Sequence, residues 1–348
     1  MPIPSRPPHP RSAELEAQAY DWALRRGLVD EDRHRQLAAS RVVTLATSYY
    51  LTARYREMAV LARWYVWLLT LDDWYDECDE YGERNGFGAR DGYPDGAAAE
   101  RGGRGAGDGG GRNGAGAPHA PAPPGGLRSG VADRGRRMAA FRAALREDLW
   151  PATRARMSPA WRTGFRRHLR ECLAGYRWQA AVRLGRVPPP GPAEYLFWRR
   201  RSFGAYPIFD LIEFVERQEF AAPLRRSAAA AELTAAASDA MAWTNDLHSL
   251  ERDLARGERA NLVLVLAAAT GGERAAAAAR VEELIAGRLR ALLRAREALL
   301  PLGPQGRLLG DRVCAMVRGA WDWHRASARY RPGPRATHGT GVVSSAAR

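Results

Sequence analysis

Residues 58–77 read Met-Ala-Val-Leu-Ala-Arg-Trp-Tyr-Val-Trp-Leu-Leu-Thr-Leu-Asp-Asp-Trp-Tyr-Asp-Glu, an apolar and aromatic run that ends in carboxylates. From Met58 to Leu69 the run is apolar nearly all round, which predicts a helix at the centre of the protein. On that helix Asp72 and Asp76 are four residues apart and share a face. Carboxylates on an apolar wall are unfavourable unless a cation lies among them. Mg²⁺ is the usual cation, because it binds one or two carboxylates together with the oxygens of a phosphorylated substrate.

The remainder of the chain has the same helical periodicity. Apolar residues recur at three- and four-residue spacings before this run and again in the second half of the chain. The helices predicted there are Met138–Trp150, Pro159–Leu184, Pro192–Gln218, Pro223–Ala255, Asn261–Ala269, Ala275–Leu300 and Leu308–Arg329. No stretch alternates apolar and polar residues in the way that a strand does. The predicted fold class is therefore all-α, with about ten helices.

One segment differs from the rest in composition. Seventeen of the 35 glycines lie in residues 81–130, together with Ala, Arg and Pro and almost no aliphatic residues. Such a composition cannot bury a core, so we predict a disordered Gly/Arg/Ala-rich insertion at about 82–130. The insertion interrupts a single folded domain, residues 13–330. Residues 1–12 are predicted to be a flexible Pro-rich arm, and residues 331–348 a disordered tail.

The net charge of +14 raises the question of nucleic-acid binding. All 53 basic residues are arginine and none is lysine, while Ala and Gly are abundant, a combination that indicates a GC-rich coding bias. The arginines are dispersed among the predicted helices and form no known nucleic-acid-binding motif. We therefore expect no nucleic-acid partner. An Arg-rich helical nucleic-acid-binding protein is the alternative from another functional class.

Targeting signals and cysteine usage indicate the compartment. No run of about 18 apolar residues is present, so no membrane span is expected. The N-terminus lacks the apolar core of a signal peptide, which favours a cytoplasmic protein. Cys78, Cys172 and Cys314 are widely separated in sequence, which is typical of free thiols rather than a disulfide framework.

A second polar cluster lies about 170 residues after the first, in a segment that otherwise resembles core. Asn245, Ser249 and Asp253 have the spacing i, i+4, i+8, so on a helix they form one stripe of three oxygen ligands. An amide oxygen, a hydroxyl and a carboxylate can bind a divalent ion without stacking negative charge. A solvated polar face is the alternative interpretation of the stripe.

The two clusters together resemble the bacterial class I terpene synthases. The aspartate-rich motif of that family, Asp-Asp-x-x-Asp, is matched by residues 72–76. The second motif, Asn-Asp-x-x-Ser-x-x-x-Glu, is matched by Asn245, Asp246 and Ser249, with Asp253 in the position of the Glu. That departure shortens the third ligand by one methylene and keeps its carboxylate. Arg252 matches the basic residue that usually precedes this ligand.

Two further matches lie outside the metal motifs. The segment from Glu194 to Gly204 is similar to the one that carries the family's diphosphate-sensing arginine and the helix break after it. Counting back from the glycine makes Arg200 the sensor, Phe203 the linker and Gly204 the effector, and a register shift of one residue makes Arg199 or Arg201 the sensor. Near the end of the ordered chain, Arg329 and Tyr330 match the family's Arg-Tyr pair.

The resemblance implies a fold, a reaction and a site. The fold is a single α-bundle around a central active-site cavity. The reaction is the Mg²⁺-dependent ionisation of a prenyl diphosphate, expected to be farnesyl diphosphate, followed by cyclisation to a terpene hydrocarbon or alcohol. Monoterpene and diterpene synthases of the same family are the alternatives, and a chain-elongating prenyltransferase would need a second Asp-Asp-x-x-Asp that the chain lacks. An inactive homologue is a further possibility, and the oligomeric state is left open, with a homodimer as one expectation.

The resemblance also assigns roles to residues. Three Mg²⁺ ions are expected, two at Asp72 with Asp76 and a third at Asn245, Ser249 and Asp253. The groups expected to donate hydrogen bonds to the diphosphate are Arg200, Arg252, Arg329 and Tyr330. The cavity wall that faces the carbocation is expected to include Trp67, Phe203, Trp243 and Trp323.

Overall fold

The computed structural model describes residues 3–5, 7–50, 53–77 and 125–330, with side chains from residue 133 in the last range. These residues form fourteen α-helices: α1 (Ser12–Arg25), α2 (Glu31–Ser40), α3 (Val42–Thr47), α4 (Tyr55–Glu77), α5 (Gly125–Ala144), α6 (Trp150–Arg154), α7 (Pro159–Arg183), α8 (Pro192–Ser202), α9 (Ala205–Glu216), α10 (Ala222–Arg225), α11 (Ala228–Ala255), α12 (Leu262–Thr270), α13 (Arg274–Leu299) and α14 (Gly303–Ala326). A π-helical turn joins α5 to α6, and a 3₁₀ turn, Ala328–Tyr330, follows α14. No strand occurs in the described ranges, so the all-α prediction is confirmed.

Helix α4 is the central helix that its sequence predicts. Met58, Leu61, Trp64, Trp67 and Leu71 are fully buried, although they do not share a single face. The helix is surrounded by α1, α3, α7 and α9. A helix that is apolar on all sides is stable only when other helices cover every side. The acidic end of α4 is therefore carried into the interior of the bundle.

Helix α11 brings the second polar cluster to the same interior. It packs against α8, α9, α12, α13 and α14. Ser227 caps its N-terminus by accepting a hydrogen bond from the backbone N–H of Ala230. Most residues from Ala236 to Thr244 are buried, which anchors the helix just before its polar stripe begins.

The predicted break between α8 and α9 is present. Gly204 has φ +75°, a left-handed conformation that glycine adopts without strain. A Cβ added there would lie 3.2 Å from the hydroxyl of Tyr176 and 3.4 Å from Sγ of Cys172. The chain therefore turns at a position where both the backbone conformation and the close neighbours favour glycine.

Several predictions concern the ends of the described segments. The predicted tail at 331–348 and most of the predicted insertion at 82–130 lie outside the described residues, as does Cys78. Helix α5 begins at Gly125, a few residues before the predicted end of the insertion. In the arm, the carbonyl of Ile3 accepts a hydrogen bond from Nη1 of Arg318 at 2.9 Å. The arm therefore contacts α14, and its flexibility stays a prediction.

Cysteines and apolar helices agree with the sequence. Cys172 and Cys314 are buried and are not joined by a disulfide, as predicted. Within the described residues, no single helix combines the length and apolarity needed to cross a membrane. The α12–α13–α14 region meets those criteria only as a pair of segments bent by 120°.

Candidate active site

A cavity of about 160 Å³ lies between the two polar clusters, enclosed by α3, α4, α7, α8, α9, α11 and α14. Most of its wall is apolar and includes Leu68, Phe209, Met241 and Met316. At one end the wall becomes polar, and there the cavity meets a smaller polar cleft of about 30 Å³. Four side chains line both spaces: Asp72, Arg199, Asn245 and Arg252. The junction between an apolar chamber and a charged cleft is thus built from α4, α8 and α11.

The α4 side of the cleft carries Asp72 and Asp76, as predicted. Burial raises the pKa of Asp72 well above its usual value, and the neighbouring carboxylates of Asp76 and Asp73 raise it further. Burial and the charge of Asp73 raise the pKa of Asp76 to about 6, although Nη1 of Arg256 lies 3.5 Å from its Oδ2. Asp72 and Asp76 are therefore crowded, buried carboxyl groups whose ionisation is disfavoured.

Asp73 has a different environment. Although burial acts to raise its pKa, the charge of Arg329 and the hydrogen bonds from that guanidinium hold the pKa below its usual value. Nη1 of Arg329 donates to Oδ2 of Asp73 at 3.0 Å, and Nη2 donates to the other oxygen. Since Asp73 and Arg329 are far apart in sequence, this pair fastens the 3₁₀ turn after α14 to the acidic end of α4.

The α11 side of the cleft is satisfied by hydrogen bonds within the protein. Oδ1 of Asn245 accepts from Nη2 of Arg199 at 2.7 Å. Nδ2 of Asn245 donates to the hydroxyl of Tyr330 at 2.8 Å and lies 3.2 Å from Nε2 of His324. Because a guanidinium can only donate, Arg199 fixes which end of the Asn245 amide is the oxygen.

The rest of the stripe is connected to α12. Ser249 is buried, and its hydroxyl donates to Oδ2 of Asp253 at 2.6 Å. The same oxygen accepts from Nδ2 of Asn261 at 2.9 Å. Oδ1 of Asn261 meanwhile caps α12 by accepting from the N–H of Val263. Asp253 lines the cleft, whereas Ser249 lies behind it.

Oxygen atoms from both helices therefore face one space. No group of three or more His, Cys, Asp or Glu side chains within the described part of the chain converges in the manner of a closed metal site. The cleft instead joins two carboxylates of α4 to an amide and a carboxylate of α11. Carboxylate and amide oxygens are hard ligands that suit Mg²⁺, and the crowding of Asp72 and Asp76 is the local feature that a cation would relieve.

The arginine nearest the cavity is Arg199, not Arg200. Arg199 is buried, and its Nη2 lies 2.7 Å from Oδ1 of Asp246. Arg200 points elsewhere and forms a two-point ion pair with Asp239, with N–O distances of 2.6 and 2.7 Å. It lines neither the cavity nor the cleft. The structure therefore does not bring Arg200 to the cavity, whereas Arg199, the alternative that a register shift of one residue gives, lines both the cavity and the cleft.

The other predicted anion-binding groups do reach the cavity. Arg252, Arg329 and Tyr330 all line it. The guanidinium of Arg252 lies 5.4 Å from the ring centre of Tyr330. Nε of Arg252 and Nε of Arg199 are buried without a hydrogen-bond partner among the residues described. Two guanidiniums at the junction thus retain donors that an anion could use.

Two of the four aromatic residues predicted for the cavity wall line the cavity. Phe203 and Trp323 line the cavity, and so does Gly204. Trp67 is fully buried between other core side chains and donates its indole N–H to the carbonyl of Phe141 at 3.1 Å. Trp243 is buried in a separate apolar cluster with α12 and α13. Neither Trp67 nor Trp243 lines the cavity.

Sequence reasoning missed several residues of the site. Tyr49, Tyr176 and His324 line the cavity. His324 is held neutral, because burial lowers its pKa to about 3. Its place directly after Trp323, a residue predicted to line the cavity, is a signal that could have identified it. Tyr49 and Tyr176 carry no such local signal, since each reaches the cavity through the packing of a different helix.

Comparisons with known proteins agree with this geometry. A family described as "Terpene synthase family 2, C-terminal metal binding" matches residues 127–291. Pentalenene synthase of Streptomyces arenae is 32% identical over 194 residues, which are 53% of this chain and 58% of that protein. The chain thus spans little more than half the length of that relative. (-)-delta-cadinene synthase of Streptomyces clavuligerus is 29% identical over 350 residues, with 96% of this chain and 95% of that protein covered.

A solved structure extends the likeness to the whole fold. The crystal structure of linalool/nerolidol synthase from Streptomyces clavuligerus superposes with a TM-score of 0.69 at 26% sequence identity. The superposition covers 92% of this chain and 98% of that chain. The likeness in fold therefore extends well beyond the residues that the family model matches.

Proposed function

Because this chain belongs to the bacterial class I terpene synthase family, we propose that it is a Mg²⁺-dependent terpene cyclase. It ionises a linear prenyl diphosphate and cyclises the carbocation to a terpene hydrocarbon or alcohol, with release of diphosphate. One observation carries the proposal. Asp72, Arg199, Asn245 and Arg252 line both an apolar cavity and a charged cleft, so a molecule with a hydrocarbon chain and a diphosphate end fits the junction.

The cleft residues are proposed to hold the metal ions. Asp72 and Asp76 would bind two Mg²⁺, and Asn245, Ser249 and Asp253 would bind a third. When bound, Mg²⁺ supplies positive charge that stabilises the departing diphosphate. The protein's own part is to hold these oxygens in place, and on the α11 side it does so through Arg199, Tyr330 and Asn261.

The basic groups are proposed to bind the diphosphate and help it leave. As the C–O bond breaks, its electron pair moves to the diphosphate oxygen, and negative charge grows there. Arg199 and Arg252 have buried Nε–H groups to donate to that charge. Arg329 and Tyr330 line the cavity from the 3₁₀ turn after α14, and the ring centre of Tyr330 lies 5.4 Å from the guanidinium of Arg252. Fixed donors of this kind act mostly on the transition state, where the charge develops.

The apolar part of the cavity is proposed to hold the hydrocarbon chain. Phe203 and Trp323 contribute aromatic faces, which attract a cation. Leu68 contributes aliphatic surface with no lone pair to attack a carbocation, and Met241 and Met316 contribute further apolar surface. A wall of this type folds the chain and keeps water away until the cation loses a proton. Farnesyl diphosphate is the proposed substrate, with geranyl and geranylgeranyl diphosphate as alternatives.

Incubation with each substrate tests the proposal. The purified protein is given Mg²⁺ and, in turn, geranyl, farnesyl or geranylgeranyl diphosphate, and the extracts are analysed by gas chromatography with mass spectrometry. A terpene product is expected with farnesyl diphosphate and is absent when Mg²⁺ is chelated. If no substrate gives a hydrocarbon or alcohol above a heat-inactivated control, the proposed function is wrong.

A further inference from the structure

A second space adjoins the active-site cavity. It is a groove of about 380 Å³ between the N-terminal arm, α2, α3 and α14. Within the described part of the chain, only Leu45 and Trp323 line both the groove and the cavity. Both side chains are half-buried and pack against the main core. They are thus a partition, with the cavity on one side and the groove on the other.

The groove is open to solvent, and its lining combines apolar side chains with several polar groups. In its wall the hydroxyl of Ser5 donates to Oδ2 of Asp322 at 2.9 Å, and Nε of Arg318 donates to the same oxygen at 2.8 Å. The hydroxyl of Ser327 donates to the carbonyl of Ser40 at 3.1 Å. A groove that is lined by hydroxyls and an ion pair and is open at the surface holds water. Water in the groove is therefore separated from the cavity by the thickness of two side chains.

The partition is held in place on both sides. The indole N–H of Trp323 donates to the carbonyl of Ser40 at 2.6 Å, and the indole ring meets the ring of Tyr330 edge-on at 5.5 Å. One turn earlier in α14, a Cβ on Gly319 would lie 2.5 Å from Cε1 of Tyr49. The turn that follows α3 thus lies close against α14 at Gly319. Where α3 and α14 diverge, Trp323 and Leu45 fill the gap.

We propose that Leu45 and Trp323 are the barrier that keeps groove water out of the cavity, and that they thereby set the ratio of hydrocarbon to alcohol products. This inference rests on the proposed function. In a dry cavity the released diphosphate takes a C–H proton from the carbocation, and the electrons of that bond form an alkene. If water enters, a lone pair of its oxygen forms a C–O bond to the cation, and the oxonium then loses an O–H proton to water, which leaves a neutral alcohol.

Two leucine-to-alanine variants separate the barrier from mere cavity size. Leu45→Ala removes a side chain between the cavity and the groove, whereas Leu68→Ala removes the same atoms from a wall that faces the cavity alone. Reactions are run in water labelled with heavy oxygen, and two quantities are measured: total diphosphate released and the share of product that is labelled alcohol. Leu45→Ala is expected to raise the labelled share several-fold, and Leu68→Ala to leave it near the wild-type value.

Variants of Trp323 give an independent test. Trp323→Ala opens the partition from α14 and is expected to raise the labelled share as Leu45→Ala does. Trp323→Phe keeps a ring in the gap and loses the hydrogen bond to Ser40. Its share of labelled alcohol is expected to stay close to that of the wild type. Circular dichroism confirms that each variant is folded.

The outcomes distinguish the barrier from the activity itself. If the wild type releases no diphosphate, the proposed function fails. If it turns over and the labelled share is unchanged in both Leu45→Ala and Trp323→Ala, the barrier is refuted and the activity stands. An equal rise in Leu68→Ala, or a wild type that makes labelled alcohol alone, would also overturn the barrier.

Discussion

The two walls of the charged cleft are stabilised in opposite ways. On α11, Asn245 and Asp253 have their oxygens placed by hydrogen bonds from Arg199 and Asn261. On α4, burial and neighbouring carboxylates raise the pKa of both Asp72 and Asp76. The oxygens of the α11 wall are therefore held by hydrogen bonds within the protein, whereas the carboxylates of the α4 wall are crowded. The difference teaches that one wall is preorganised and the other is where we propose that a metal ion gains most of its binding free energy.

The largest expected effect is the loss of activity in Asp72→Asn. The substitution keeps the shape and removes the charge, so diphosphate release should fall by a factor on the order of 10² or more. Because a buried like charge is also removed, the melting temperature measured without Mg²⁺ should not fall. Asp32→Asn changes an exposed carboxylate and is the control for both measurements. Full activity of Asp72→Asn would contradict the role given to the α4 wall.

A slightly smaller effect is expected from Arg199→Lys. An ammonium group can replace the contacts that Nη2 of Arg199 makes with Asn245 and Asp246, but it lacks the other donors of the planar guanidinium, so turnover should fall by about tenfold or more. Arg200→Lys is the matched control, because it alters the adjacent residue and affects only the pair with Asp239. Steady-state kinetics of both variants compare the two losses of turnover. A larger loss of turnover in Arg200→Lys would instead favour Arg200 as the arginine that senses the diphosphate.

Mg²⁺ binding should itself stabilise the protein. A ligand present at a hundred times its dissociation constant stabilises the folded state by about 2.7 kcal/mol. The melting temperature of the wild type should therefore rise with Mg²⁺, as followed by circular dichroism. In Asp72→Asn the rise should be much smaller, whereas a rise as large as that of the wild type would show that the ions bind elsewhere.

The smallest effect is expected on the α11 wall, from Ser249→Ala. It removes the hydrogen bond to Asp253 in a buried position and should lower the free energy of unfolding by about 1 kcal/mol. Urea denaturation measures the change, with Thr163→Ala at an exposed helical position as control. This sign is opposite to that expected for Asp72→Asn. If Ser249→Ala stabilised the protein instead, the α11 wall would be strained rather than preorganised.

The sequence predicted what depends on local spacing. The pairs Asp72 with Asp76 and Asn245 with Ser249 follow from the helical repeat, and all four lie at or directly behind the cleft. The helical class and the break at Gly204 follow from equally local patterns.

The predictions that failed depend on the direction in which a side chain points. Successive helical residues point about 100° apart, so a run of three arginines does not reveal that Arg199 faces inward and Arg200 outward. An apolar helix likewise does not show which of its tryptophans faces a cavity, and Trp67 was assigned wrongly for that reason. The pair of Asp73 with Arg329 joins residues from distant parts of the chain, which only the fold brings together.

The most direct test of the central claim is a double-mutant cycle across the cleft. Diphosphate release from farnesyl diphosphate is measured with saturating Mg²⁺ for the wild type, Asp72→Asn, Asn245→Ala and the double variant. If both walls hold one set of ions around one diphosphate, the double variant should be scarcely slower than the slower single variant, since residues that act as a unit are not additive. Losses that multiply would show that the two walls act independently, and wild-type release that persists after Mg²⁺ is chelated would contradict the metal-dependent mechanism.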